Sequence, residues 1–589
     1  MYNTKPVYTT EQIVDHLLRN QNLVDFLDRN KHALNVNITT LGQNGQNIVR
    51  LAMEEWSKVA DITFNEVTDH ADIHFISEND EYICKSQIGK QGIKLMEINL
   101  HKGDLQRYGT EKGTILFHNT LHEIGHALGL LHLGDYNGGY PTYGIDNDCA
   151  NDSFLTSIMS YFDQYQNTMT NASVGYCSTP MVADILAVQK KYGAPIKAPE
   201  NSLHIINVQE KGKPFVQTVY DSGGEDLLDL SMVGEFDNYV NLNPESWSNI
   251  GGGRKNVTFA RDSIIEDVIG GDGSDSIIGN SADNVLYGGK GDDIFYASKG
   301  NDVFNGSRGF DTVVYLSPSS DYKIYPFEDE VITYDVGNNK VDSIRSVEKI
   351  IFSNAQMDLG NMQRKSMLEY TASYEDLCRS IGYDVDLSRK HLLEWGLKEE
   401  RNILFDSYLY LGGYEDLRQA FGENRESAAR HYIEYGLSEG RNPQVFDRLA
   451  YIASYEDLIK EYIHTDLMQS GKEHFSRYGY IEGRSVHFDP QLYLESYEDL
   501  RHAFGEDLGA ASRHYINYGF WEGRNPRLGH SAQETVFQPM SGKMQDQYTT
   551  SPQHDHRKDD DVFTINIGED IQDHASDILI DHGMLIHAS

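Results

Sequence analysis

Five consecutive nonapeptides, GGDGSDSII, GNSADNVLY, GGKGDDIFY, ASKGNDVFN and GSRGFDTVV, run without a gap from Gly270 to Val314. The eighth place of each is apolar: Ile277, Leu286, Phe295, Phe304 and Val313. A solvated acidic linker needs no such position, whereas a very short strand with one inward side chain does. The glycine-rich half makes the turn. The period matches the G-G-x-G-x-D-x-U-x pattern of a calcium-binding parallel β-roll, in which each coil takes two repeats and a turn stacks on the turn two repeats later. The expected calcium ligands are Gly270, Gly271, Gly273, Asp275, Gly288, Gly289, Gly291, Asp293, Asp302 and Asp311, through backbone carbonyls and carboxylates. The two faces of the roll are unequal. Odd-numbered repeats supply Asp275, Asp293 and Asp311 at the sixth place, while the even-numbered ones supply Asn284 and Asp302, with Ala297 and Ser298 replacing a leading glycine pair. At least two ions are expected on the odd face, and weak binding or none on the even face.

The charge agrees with cation recruitment. The 589 residues carry 90 Asp and Glu against 50 Lys and Arg, a formal charge of −40. Such an excess disfavours nucleic acid and anionic membrane surfaces as partners and suits a protein kept soluble outside the cell. Mean hydropathy is −0.53, and no stretch has the roughly 18 consecutive apolar residues of a membrane helix. The start, MYNTKPVYTT, lacks the apolar region of a secretory signal peptide. The chain is therefore expected to be a processed form or to leave the cell by a route that needs no N-terminal signal. Four cysteines do not make a disulfide framework; Cys149 and Cys177 could pair or stay as free thiols.

A second motif carries chemistry. In TLHEIGHALGLLH, Thr120 to His132, the histidines at 122 and 126 are four residues apart and share one helix face. Gly129 can end the helix in the left-handed conformation and let the chain return with His132. Three neutral nitrogens with an open fourth position make a catalytic zinc site. Glu123, beside the first ligand, is placed to act as general base.

The pattern H-E-x-x-H-x-x-G-x-x-H with SIMSY (Ser157 to Tyr161) resembles the metzincin metalloproteases, and HEIGHALGLLHLGDYN resembles their serralysin branch. The segments AMEEWSKVADITFNEV, ADIHF and ADILAVQKKYGA extend the resemblance across residues 34 to 195, and YDSGGEDLLDLS and EDVIGG extend it through the roll. It implies that Met159 is the methionine of the Met-turn beneath the zinc. It also implies that Tyr161 ligates zinc at rest and swings to stabilise the oxyanion. One departure is Leu133, where many serralysins carry proline, which bears on the local chain path.

The organisation expected is a multidomain chain. Residues 1–33 form an N-terminal helical segment, a remnant propeptide or a structural cap. An α/β (α+β) metzincin catalytic domain spans 34–197, and the parallel β-roll with flanking strands spans 198–360. Residues 361–526 read as a helical array of four repeats of about 41 residues, because SYEDL or GYEDL recurs at Ser373, Gly413, Ser454 and Ser496. Each copy is expected to be two short helices stopped by glycine, with tyrosines as core staples; a surface or glycan-binding role is the other reading. The tail, 527–589, begins polar and histidine-bearing, and by resemblance ends in an uncleaved signal for type I secretion machinery. The functional expectation is a secreted, extracellular zinc endopeptidase that folds with calcium and hydrolyses peptide bonds of protein or peptide substrates. The alternative is a surface adhesin or matrix protein with a vestigial protease domain.

Overall fold

The computed structural model describes residues 5–19, 32–89, 92–108, 111–167, 169–195, 201–206 and 215–526. The tail that sequence reading assigns to a secretion signal, and the second half of the N-terminal helical stretch, lie outside them. Among the described residues no helix is long and apolar enough to cross a membrane.

The N-terminal stretch contributes one short helix, α1 (Thr10–Leu17), opened by a capping box between Thr9 and Gln12. It is followed by β1 (Ala33–Asn37), α2 (Gln43–Val59), β2 (Thr63–Glu66), β3 (Ile73–Ile76), β4 (Ile83–Gly89), β5 (Gly92–Asn99), α3 (Lys102–Tyr108) and α4 (Ile115–Ala127). The sheet order is β2-β1-β3-β5-β4. All neighbours are parallel except β4, which runs antiparallel to β5 and forms an edge. α2 buries Ile48, Val49, Ala52, Met53, Trp56 and Val59, a helical stripe that faces the core. Trp56 is fully buried and its indole N–H donates to the Leu121 carbonyl at 3.2 Å, which ties α2 to α4. Beyond β6 (Tyr176–Cys177), α5 (Val182–Tyr192) closes this part and packs against α1.

The β-roll follows from the nonapeptide period. Strands Ser276–Ile278, Ile294–Tyr296 and Thr312–Val314 pair in parallel in one sheet, and Asp267–Ile269, Val285–Lys290 and Val303–Arg308 in the other. Ile277 stands opposite Phe295 and Phe295 opposite Val313, while Leu286 faces Phe304; all five side chains are buried. Glycine is required where turns stack. Gly291 has φ +99° and a Cβ there would collide with the Gly273 carbonyl of the coil below.

From Met367 to Gly519 the described chain is built of short helices, and each SYEDL-type copy starts the second helix of a three-helix set. The sequence predicts two helices per copy; the extra one is the apolar stretch before each motif, for example Ser407–Gly413. The aromatic-Gly pairs also differ from expectation. Gly396, Gly436, Gly479 and Gly519 do not stop helices but close π-helical turns. A buried tyrosine's hydroxyl, of Tyr370, Tyr410, Tyr451 or Tyr493, lies where each glycine's Cβ would be, and is hydrogen-bonded with His391, His431, His474 or His514 Nδ1 at 2.9–3.1 Å. These tyrosines are core groups. One further aromatic per copy, Trp395, Tyr435, Tyr478 and Tyr518, faces solvent.

The roll and the helix Val385–His391 are joined by an ion cluster around a buried carboxylate. Glu330, just before the strand Val331–Asp335, takes both guanidinium N–H groups of Arg389 at 2.6 and 3.0 Å, and also Arg345 and Ser343. Burial pushes its carboxyl up, but the hydrogen bonds from Arg389 and Ser343 outweigh it and hold the group down at about 2. Removing one partner of such a cluster leaves the others uncompensated. Glu330→Ala is expected to lower stability by about 3 kcal/mol in urea denaturation at neutral pH; a loss well under 1 kcal/mol would contradict this. Because the folded value is depressed below the ordinary 4.5, the contribution is full above that pH and disappears as pH falls toward 2.

Candidate metal centre and catalytic site

The site starts with helix α4. Thr114 caps its N-terminus, the hydroxyl accepting the Phe117 N–H at 3.3 Å. His122 and His126 lie one turn apart on it. At its other end Gly129 takes φ +92°, and the Leu130 N–H returns to the Gly125 carbonyl at 2.9 Å. This left-handed termination brings His132 back toward the helix. Leu133 is buried and the chain passes it into a bridge between Gly134 and Asn147, so the missing proline leaves His132 in place.

All three histidines use Nδ1 in the same way. His122 Nδ1 lies 2.8 Å from the Ile158 carbonyl, His126 Nδ1 2.9 Å from that of Leu130, and His132 Nδ1 2.7 Å from that of Tyr136. A carbonyl can only accept, so each Nδ1 carries the ring proton and each Nε2 presents a bare lone pair. The three Nε2 atoms are 2.9–3.2 Å from one another. Three acceptors with no proton among them repel, and a cation between them is what relieves that repulsion. Burial holds the imidazoles neutral, His126 down at about 4, His132 at about 3 and His122 well below its ordinary value. Among the described residues these three form a group whose possible ligand atoms all lie within 4.8 Å of one another.

Around that point stand the other predicted residues. Glu123 is buried, and burial alone pushes its carboxyl up to about 8. The Tyr161 ring packs edge-on to His132, centroids 4.6 Å apart, and its hydroxyl receives the Gly138 N–H at 3.4 Å. Met159 is fully buried, its sulfur so close to Gly125 that a Cβ there would come within 2.6 Å. That contact explains the glycine inside HEIGH. A cavity of about 280 Å³ opens beside His122, Glu123 and Tyr161, lined further by Tyr82, His118 and Phe154.

Two supports were not read from the sequence. Asp184, fully buried at the start of α5, accepts from Ser157 Oγ at 2.5 Å and from the backbone N–H of Ile158 at 2.7 Å and Met181 at 2.9 Å. It therefore sets the carbonyl that holds His122. Its signal is present only as an Asp three residues into a helix, which reads as a helix-start residue. The second is Arg19, whose guanidinium donates to the carbonyls of His132 at 2.5 Å and Gly134 at 3.0 Å. With the Leu131 N–H bonded to the Leu17 carbonyl and Tyr8 paired to Asn151, the N-terminal segment braces the loop that carries the third histidine. The four cysteines are free thiols.

In the roll, Asp293 Oδ1 accepts the Asp275 N–H at 2.8 Å and Asp311 Oδ1 the Asp293 N–H at 2.9 Å. Their second oxygens, with Asp226 Oδ2, are buried without a hydrogen-bond partner. Burial pushes Asp293 up to about 8 and Asp275 and Asp311 to about 6. Orphaned buried carboxylate oxygens of this kind fit a hard cation. The predicted glycines Gly270, Gly271, Gly273, Gly288, Gly289 and Gly291 lie in the same stacked turns, and Asp302 lies in the other stack.

Comparison with known proteins finds similarity over both regions. Residues 33–135 match the astacin peptidase family, and residues 201–384 match the peptidase M10 serralysin C-terminal domain. Metallopeptidase AprA of Pseudomonas marginalis is 32% identical over 324 residues, covering 47% of this chain and 66% of the relative. Serralysin of Photorhabdus luminescens is 35% identical over 254 residues (38% and 50%), and serralysin C of Dickeya chrysanthemi 36% over 251 residues (38% and 51%). The chain thus spans between half and just under two thirds of the length of these relatives. Over its protease-like part and its β-roll, the chain is similar to the serralysin-type metzincins, a family that uses zinc at a histidine triad and calcium in the C-terminal domain.

Proposed function

We propose that the chain is a secreted zinc endopeptidase that cleaves protein or peptide substrates and folds with calcium. The observation that carries this reading is the convergence of three unprotonated Nε2 atoms beside a buried glutamate and a tyrosine hydroxyl. Zinc held by His122, His126 and His132 would supply a Lewis acid that lowers the pKa of water and polarises a carbonyl. Glu123, high in proton affinity through burial, would come down beside a divalent cation. It then takes a proton from the attacking water and hands it to the leaving amine. Tyr161 is a phenol within reach of that point, and its hydroxyl donates to the developing oxyanion once it leaves the Gly138 N–H. Met159 and Gly129 hold the two ends of the ligand set. A substrate lies extended against the edge strand β4, which packs on α4, and pairs through its backbone.

The remaining modules follow the same reading. Residues 34–197 make the catalytic domain, 198–360 the calcium roll, and 361–526 a helical array of four repeats. Calcium binds at Asp275, Asp293 and Asp311 with the carbonyls of the glycine turns. Export uses type I secretion machinery acting on residues 527–589. The adhesin alternative has no observation in its favour that the intact triad and base do not outweigh.

Glu123→Ala is expected to keep stoichiometric zinc and to lose peptide hydrolysis by about a thousandfold or more, read by metal analysis and casein digestion. Retained activity removes the mechanism, and lost zinc makes Glu123 a ligand instead of a base. Asp184→Asn replaces an acceptor of three bonds by an amide and frees the carbonyl that orients His122. It should weaken zinc binding by about 10- to 100-fold in a chelator competition, with the unfolding midpoint of the zinc-free chain changed far less. Unaltered zinc affinity would show that the Met-turn is positioned without it.

A further inference from the structure

The second stack of the roll carries its own cation. Asp302 Oδ1 accepts the Asn284 N–H at 3.1 Å and Asp342 Oδ1 accepts the Asp302 N–H at 2.8 Å, so Asp342 continues the even-numbered stack beyond the nonapeptide array. The same backbone pairing joins Asp275, Asp293 and Asp311 on the odd-numbered side. The second carboxylate oxygens differ. On the odd side those of Asp293 and Asp311 are buried and unpartnered. On the even side Lys340 reaches in, its Nζ 3.4 Å from Asp302 Oδ2, 3.0 Å from Asp342 Oδ2 and 2.7 Å from the Ser298 carbonyl. Its side chain is 10% exposed. An ammonium has three N–H donors and no acceptor, and here three oxygens surround it. Two carboxylates and one turn carbonyl are also the donor types that a hard divalent cation takes.

We propose that Lys340 is a tethered cation that replaces calcium between Asp302 and Asp342, so that this stretch of the roll assembles without the metal while the odd-numbered stack requires it. Neighbouring groups support the substitution. Ser298, where the repeat pattern has glycine, gives its hydroxyl and its N–H to Asp302 Oδ2 at 2.9 and 3.2 Å. The Tyr315 hydroxyl donates to Asp342 Oδ2 at 2.9 Å, and its ring lies under the ammonium, 5.9 Å from Nζ. The oxygens of Asp302 and Asp342 therefore have partners supplied by the chain. Asp226, at the head of the same stack, keeps an orphaned oxygen and lies outside this stretch. The proposal rests on the calcium-roll reading and assigns Asp302 to lysine instead of the metal.

The test is calcium binding by the full zinc-loaded chain. Lys340→Met removes the charge but keeps the length, and should raise calcium stoichiometry in equilibrium dialysis by one ion per chain; Lys340→Arg should keep the unmodified number. Unchanged stoichiometry in a folded Met variant overturns the proposal. A variant that folds only with calcium supports it. Anomalous scattering from calcium-soaked crystals of the unmodified chain decides the matter without depending on any variant folding. Ions are expected among Asp275, Asp293 and Asp311 and none between Asp302 and Asp342. An ion at Asp302 and Asp342, with Lys340 displaced, contradicts the substitution. No ion on either stack removes the calcium-roll reading itself.

Discussion

Three hydrogen bonds from imidazole Nδ1 to backbone carbonyls fix the chemistry of this chain. They decide the tautomer of each ring and so where its lone pair points. The acceptors come from three separate places: the turn after α4 at Leu130, the loop at Tyr136 and the Met-turn at Ile158. Each place has its own brace. Gly129 closes the helix, Arg19 and α1 hold the loop, and Asp184 holds the Met-turn. Tyr8, Leu17 and Arg19 thereby belong to the structure that braces the site.

The same electrostatic problem recurs in the roll, with a different answer on each side. Stacking nine-residue turns places carboxylates in columns, where burial and mutual repulsion disfavour their charge. On one column the second oxygens of Asp293 and Asp311 are buried without a hydrogen-bond partner, the environment a free cation suits. On the other, Lys340 supplies a covalently attached one. A chain with a formal charge of −40 can thus make part of its roll contingent on external calcium and part of it not. The boundary between the two behaviours is drawn by a single side chain.

Local patterns are the legible part of the sequence. The spacing of His122, His126 and His132 and the apolar eighth place of the nonapeptides are set by short-range geometry, so they can be read from order alone. What escapes such reading depends on contacts between distant segments. Asp184 is 62 residues from the His122 that it serves, and nothing near it in sequence marks that role. Arg19 reads as one polar residue of the N-terminal helical segment until its contact with the His132 carbonyl is seen. Lys340 lies after the last nonapeptide, outside the period that reveals the roll. The repeat glycines mislead for a related reason: Gly479 looks like a helix stop, but it is glycine because the Tyr451 hydroxyl occupies its Cβ position.

X-ray absorption at the zinc edge, on the full chain loaded with one equivalent of zinc, tests the central claim most directly. Three convergent Nε2 atoms predict three imidazole nitrogens at about 2.0–2.1 Å, with the imidazole outer-shell pattern and no sulfur shell. A sulfur scatterer at about 2.3 Å, or an unchanged spectrum after His132→Ala, would mean that the metal sits elsewhere and that the triad is not the centre around which the fold is braced.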